Sequence, residues 1–169
     1  MFQSLPPNTA EDSAENEEQT MMHFEGTKKL PVSLAAVWQK LSDARFLVRC
    51  IPDIEAVSES QAERAVCTIR PGFAFVRGSL ELTLHIAEAV PESKIRLLVH
   101  TKGIGSTSDV EITLTLAQQD AGTRVEWMAA VASLGGLLKA MPQGLIKAAA
   151  QKVIADVWTR VETRLTEEA

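Results

Sequence analysis

The stretch MPQGLIKAAAQKVIADVWTRVETRLTE, residues 141–167, decides the fold, because it reads as one long amphipathic helix near the C-terminus. Pro142 sits where a first helical turn tolerates a missing N–H. Leu145, Ile146, Ala149, Ala150, Val153, Val157, Val161 and Leu165 recur at steps of three and four, which makes one apolar stripe. Lys147, Gln151, Asp156, Arg160, Glu162 and Arg164 fall mostly on the opposite face, and the spacing predicts an i,i+4 ion pair between Asp156 and Arg160. At 1.5 Å per residue the helix is roughly 40 Å long and needs a wide, curved partner. Its first half is small, with Gly144, Ala148, Ala149 and Ala150, while its second half carries Val153, Val157, Trp158, Val161 and Leu165. Small residues at that place leave room for an apolar ligand between helix and sheet. Alanine is also the best helix former and lets backbones approach, and composition alone favours that plainer explanation.

The partner precedes it. From Ile54 onward the apolar period is two, over about eighty residues. Leu80, Leu82, Leu84 and Ile86 alternate with Ser79, Glu81, Thr83 and His85. Ile95, Leu97 and Val99 alternate with Arg96, Leu98 and His100. Val110, Ile112, Leu114 and Leu116, then Val125, Trp127, Ala129 and Val131, repeat the pattern. Antiparallel strands with one dry and one wet face read this way. Pro91-Glu92-Ser93, Gly103 to Ser106 and Asp120-Ala121-Gly122 supply the turns. Pro71-Gly72 interrupts the alternation between Ala65 and Gly78 and predicts a bend or bulge there.

Upstream, residues 1–20 are acidic and rich in Pro, Asn, Ser and Glu, which predicts a disordered leader before a single domain over residues 21–169. A strand over about Met21 to Leu30 ends at Pro31. Ser33 caps a short helix with Leu34, Val37, Trp38 and Leu41 at helical spacing, and Asp43 caps a second that Pro52 terminates. The predicted fold is therefore α+β, a curved antiparallel sheet of about seven strands wrapped around the C-terminal helix, with two short helices after the first strand.

A chain of 169 residues fits one domain with one core. Its net charge of −5, without a Lys/Arg cluster, argues against nucleic acid and against simple adsorption to acidic lipid. Cys50 and Cys67 are the only cysteines and predict two free thiols rather than a disulfide or a thiolate metal site. No secretory signal and no apolar run long enough for a membrane span are legible, so a soluble, cytoplasmic protein is expected. His23, His85 and His100 are scattered, no two spaced to share a metal, and nothing points to a cofactor.

The chain resembles a helix-grip domain of the SRPBCC superfamily, the START and birch-pollen-allergen type, and within it the CoxG family of carbon monoxide dehydrogenase subunits. Glu25-Gly26, Val37-Trp38, Cys50-Ile51-Pro52 with Glu55, and Leu134-Gly135-Gly136 carry the resemblance, which covers about Met22 to Leu165. It implies a cytoplasmic accessory protein of a molybdenum hydroxylase such as carbon monoxide dehydrogenase, without chemistry of its own. The implied roles are carriage of a lipid- or quinone-like molecule and recruitment of the enzyme to a membrane. Asp53 replaces the glycine that often follows Cys-Ile-Pro in that family, and the chain ends at Ala169 without the long amphipathic tail of several members, which leaves at most transient membrane contact.

A hydrophobic cavity is expected between sheet and helix. Trp38 and Phe46 would line it from the short helices, Leu82, Leu97, Ile112 and Trp127 from the strands, and Leu138, Met141, Leu145 and Ala149 from the terminal segment. Leu137 on a hinge-like Gly135-Gly136 leader would form one lip of a gate, or an ordinary helix entry, with Gly103 and Gly105 opposite. A cyclase- or hydrolase-like enzyme would instead need ionisable groups facing inward, yet His85, Glu81, Glu111, Arg124 and Glu126 alternate outward, where Arg124 and Glu111 are placed to pair for a few tenths of a kcal/mol. A protein adaptor using the outer sheet face or the acidic leader is the third possibility. Cys50, with no base legible nearby, is expected to pack as a small apolar group.

Overall fold

The computed structural model describes residues 22–73 and 77–168. The acidic leader, the strand start at Met21 and the middle of the expected bend lie outside them. The chain runs β1 (Met22–Leu30), α1 (Leu34–Leu41), α2 (Ala44–Arg49), β2 (Ile54–Ser60), β3 (Arg64–Ile69), β4 (Leu80–Val90), β5 (Lys94–Gly103), β6 (Ser106–Gln119), β7 (Gly122–Gly136), α3 (Leu137–Ala140) and α4 (Gln143–Glu168). The strands form one antiparallel sheet in the order β1-β7-β6-β5-β4-β3-β2. β1 and β2 are its two edges, so α1 and α2 carry the chain from one edge to the other. This is the helix-grip α+β architecture that the alternation predicts.

Local chemistry sets the short helices. The Ser33 hydroxyl accepts the Ala36 N–H at 3.3 Å, and Asp43 Oδ1 accepts that of Arg45 at 2.9 Å. Val37, Leu41, Ala44, Phe46 and Val48 then face inward and are almost wholly buried against Ile95, Val125 and Leu165. Glu168 at the end of α4 accepts from Arg49 at 3.0 Å and lies 3.3 Å from Lys40, and both cations lean over the Phe46 ring. These pairs are exposed and worth little singly. Burial of the Phe46 ring is the larger stabilising effect.

Several expected details change. α4 begins at Gln143 rather than Met141, with the Pro142 carbonyl accepting the N–H of Leu145 and Ile146. Asp156 pairs one turn back with Lys152 at 2.8 Å instead of forward with Arg160. Glu111 meets Arg96 at 3.2 Å, not Arg124, because the register sets Glu111 opposite Ala130 and Arg124 opposite Ala117. Arg124 turns to Glu126 on its own strand at 2.9 Å. Asp53, at the family's glycine position, holds φ at 63°, the left-handed region that glycine favours and aspartate tolerates.

The β5–β6 hairpin closes on two residues, Ile104 and Gly105, with φ of 55° and 67°. That turn suits Asn-Gly, and a β-branched residue is the costliest choice for its first position. Ile104→Asn is accordingly expected to raise unfolding stability by about 1 kcal/mol. Urea denaturation followed by circular dichroism would measure it, and an unchanged or lower midpoint would mean that the Ile104 side chain repays its strain through contacts with its neighbours.

Candidate functional site

The dry face of the sheet is covered unevenly. Ile95, Leu97, Leu114, Leu116 and Val125 are buried beneath α1, α2 and the second half of α4. Towards the β5–β6 hairpin the same faces carry Val99, Val110 and Ile112, which are only partly buried. α4 mirrors this. Trp158, Val161 and Leu165 are buried in its second half, whereas Ile146 is the one buried residue of its first half among those described. Leu145 and Val153, expected on the inner stripe, are 40% and 37% exposed. A second, smaller apolar cluster of Phe24, Ala129 and Val131 lies under this half, with Ala150, Ile154 and Leu134 packed loosely against it.

That thin packing opens to solvent as a cleft of about 460 Å³ between β1 and α4. Phe24, Trp127, Ile154 and Trp158 make its apolar floor, and Lys147 and Gln151 stand one turn apart on its helical rim. The Trp127 and Trp158 rings lie 6.3 Å apart at 43°. Gly26, directly opposite Trp127 in the β1–β7 register, explains the placement. A side chain there would meet the indole at 2.8 Å, so only glycine lets the ring lie across the edge strand. On the outer face Trp127 also borders a groove of about 320 Å³ with Glu25, Thr27, Glu126 and Met128.

Of the expected lining residues, Trp127 reaches this cleft and Ile112 packs beside it. Ala149 and Met141 are partly buried, and Leu145 faces out. Phe46, Leu82 and Leu97 are 2%, 7% and 4% exposed and belong to the main core, with Trp38 packed against it. Leu138 is partly buried and Leu137 is 61% exposed. The lip residues converge: the Leu137 N–H donates to the Gly105 carbonyl at 3.0 Å. A side chain on Gly135 would strike Thr107 Oγ1, and one on Gly136 the Gly105 carbonyl oxygen. These glycines are demanded by close approach, which fastens β7 to the hairpin.

Phe24, Trp158, Lys147 and Gln151 escape the sequence reading. Phe24 alternates inward with Gly26, Lys28 and Leu30 and was legible in principle. The others depend on which helical face meets β1, which no single element's pattern reveals.

Among the described residues no group of three or more His, Cys, Asp or Glu side chains is placed to hold a metal ion. His100, Asp109 and Ser133 do meet on the outer face. Asp109 stands in the middle, with Oδ1 2.7 Å from His100 Nδ1 and Oδ2 accepting from the Ser133 hydroxyl at 2.7 Å. The Ser133 bond, and then that to His100, hold the Asp109 carboxyl below its usual range. Nucleophilic catalysis needs the histidine between the other two, to take the serine proton, and here the carboxylate occupies that place.

Both thiols are buried, and desolvation pushes Cys50 and Cys67 up to about 11. The native protein should therefore react with a disulfide reagent at pH 8 at least a hundredfold more slowly than the unfolded chain, since the thiolate is the reactive form. Rapid titration of either thiol in the folded state would contradict this burial.

The family model for CoxG, described as a carbon monoxide dehydrogenase subunit, matches residues 26–166. No curated protein matches the chain by sequence. The fold recurs in a conserved protein from Geobacillus kaustophilus, at a TM-score of 0.76 and 20% identity over 86% of this chain and 96% of that one. It also recurs in a START superfamily protein from Mycobacterium smegmatis, at a TM-score of 0.63 and 10% identity over 87% and 99%. No helix among the described residues is long and apolar enough to cross a membrane.

Proposed function

The chain belongs to the CoxG family of carbon monoxide dehydrogenase subunits, and from that premise we propose that it is a non-catalytic, cytoplasmic accessory protein that carries a lipid- or quinone-like molecule for a molybdenum hydroxylase of the carbon monoxide dehydrogenase type. The observation that carries this reading is the thin packing beneath the first half of α4. Apolar side chains from β1, β5, β6 and β7 face it only partly covered, which leaves hydrophobic surface that a ligand can bury at about 25 cal/mol per Å². Of the expected residues, Trp127 and Ile112 adjoin that space, and Leu138, Met141 and Ala149 would complete its lining. Gly103, Gly105, Gly135, Gly136 and Leu137 would form the lip of that space.

Titration with a decyl-substituted benzoquinone tests the reading, because a quinone in contact with Trp127 or Trp158 quenches its fluorescence. Saturable quenching, lost when both are replaced by phenylalanine, is expected. Quenching that grows linearly with quinone, as from collisions in solution, would remove it. Co-purification of a molybdenum hydroxylase with the tagged protein from its native cells tests the partner.

A further inference from the structure

The β1–α4 cleft has an apolar floor and a polar rim, and this contrast says which end of a ligand belongs there. Four cleft residues on α4 and β1 carry hydrogen-bond donors at the rim: Lys147, Gln151, Lys28 and His23. Lys28 faces Glu162 at 3.5 Å and is already compensated. Lys147 and Gln151 have no ion pair or hydrogen bond to another side chain among the described residues, and both stand on the helical lip above Trp127, Trp158 and Ile154. Glu25 and His23 alternate outward from β1 and stand on the opposite lip.

On the reading that the protein binds an apolar molecule beneath α4, we propose that the β1–α4 cleft holds that molecule's head group, and that the head carries acceptor oxygens met by Lys147 and Gln151 while its chain runs inward over Phe24 and Ile112. The ammonium protons of Lys147 and the amide NH₂ of Gln151 give the helical lip the donors that a carboxylate or ring carbonyl needs, while the Glu25 carboxylate stands across the cleft on the other lip. Trp127 and Trp158, tilted to each other, add aromatic surface against the head.

Calorimetric titration with decanoate, a decyl-substituted benzoquinone and decylamine tests the assignment, since the three share a chain length and differ at the head. The first two are expected to bind at least tenfold more tightly than the amine. Lys147→Met, an exposed helical change that leaves the fold intact, should cut that preference at least fivefold while the amine's affinity stays within twofold. A loss confined to decanoate identifies the head as anionic, and a loss shared with the quinone identifies a neutral acceptor; both support the assignment. Equal binding of amine and acceptors, or a preference untouched in both Lys147→Met and Gln151→Leu, overturns it while leaving the carrier reading standing. Failure of all three probes to bind counts against the carrier reading itself.

Discussion

Replacing Gly136 by alanine is expected to destabilise the protein by about 3 kcal/mol or more. Gly136 holds φ at 63° and ψ at −133°, a conformation that side chains other than hydrogen rarely adopt, and it does so where β7 ends and α3 begins. An added methyl group would overlap the Gly105 carbonyl oxygen, so the hairpin would have to retreat and release the 3.0 Å bond from the Leu137 N–H. Backbone strain costs about 1–3 kcal/mol, and loss of the Leu137–Gly105 hydrogen bond, whose groups water can reach, adds about 0.5–1.5 kcal/mol. Gly144→Ala provides the control, because nothing lies within 4 Å of its added carbon and the residue is helical. There the same change should stabilise by roughly 0.5–1 kcal/mol. Chemical denaturation of both variants checks the pair, and a loss below about 1 kcal/mol at Gly136 would show that the lip is free to move.

Ala150→Phe should lower affinity for a decyl-substituted quinone at least tenfold while changing unfolding stability by less than about 1 kcal/mol. Ala150 packs from α4 against the smaller cluster of Phe24, Ala129 and Val131, beneath the half of the helix where the ligand is proposed to bind. A phenyl ring there would occupy the space proposed for the ligand. In an interior already packed to full density, the same ring would force side chains off their rotamers and cost about 1–3 kcal/mol. Stability and affinity therefore move independently only if the room exists. A variant that loses several kcal/mol, or one that binds as the parent does, contradicts the proposed site.

The strands were legible because a period of two survives any error of phase along one strand. β4 to β7, their turns and the two capped helices follow from local pattern. The face of α4 was less legible for a geometric reason. Residues four apart advance by about 400° around a helix, so a run such as Leu145, Ala149, Val153, Val157, Val161 and Leu165 drifts about 200° from end to end. Leu145 and Leu165 cannot face the same sheet, and the buried residues instead mix steps of three and four through Ile146, Trp158, Val161 and Leu165. The ion pairs failed similarly: Arg124 and Glu111 are both outward, yet only the β6–β7 register places them apart. The cleft was hidden most deeply, since Gly26 acquires its meaning only when β1 lies beside β7 and the Trp127 ring crosses it.

Native mass spectrometry of the gently purified protein, before and after organic extraction, measures the central claim most directly. A mass above that of the chain, lost on extraction and recovered in the organic phase as an apolar small molecule, or regained when the stripped protein meets a decyl-substituted quinone, is the expected result. Protein that carries nothing when isolated and takes up no quinone when saturated would contradict the account.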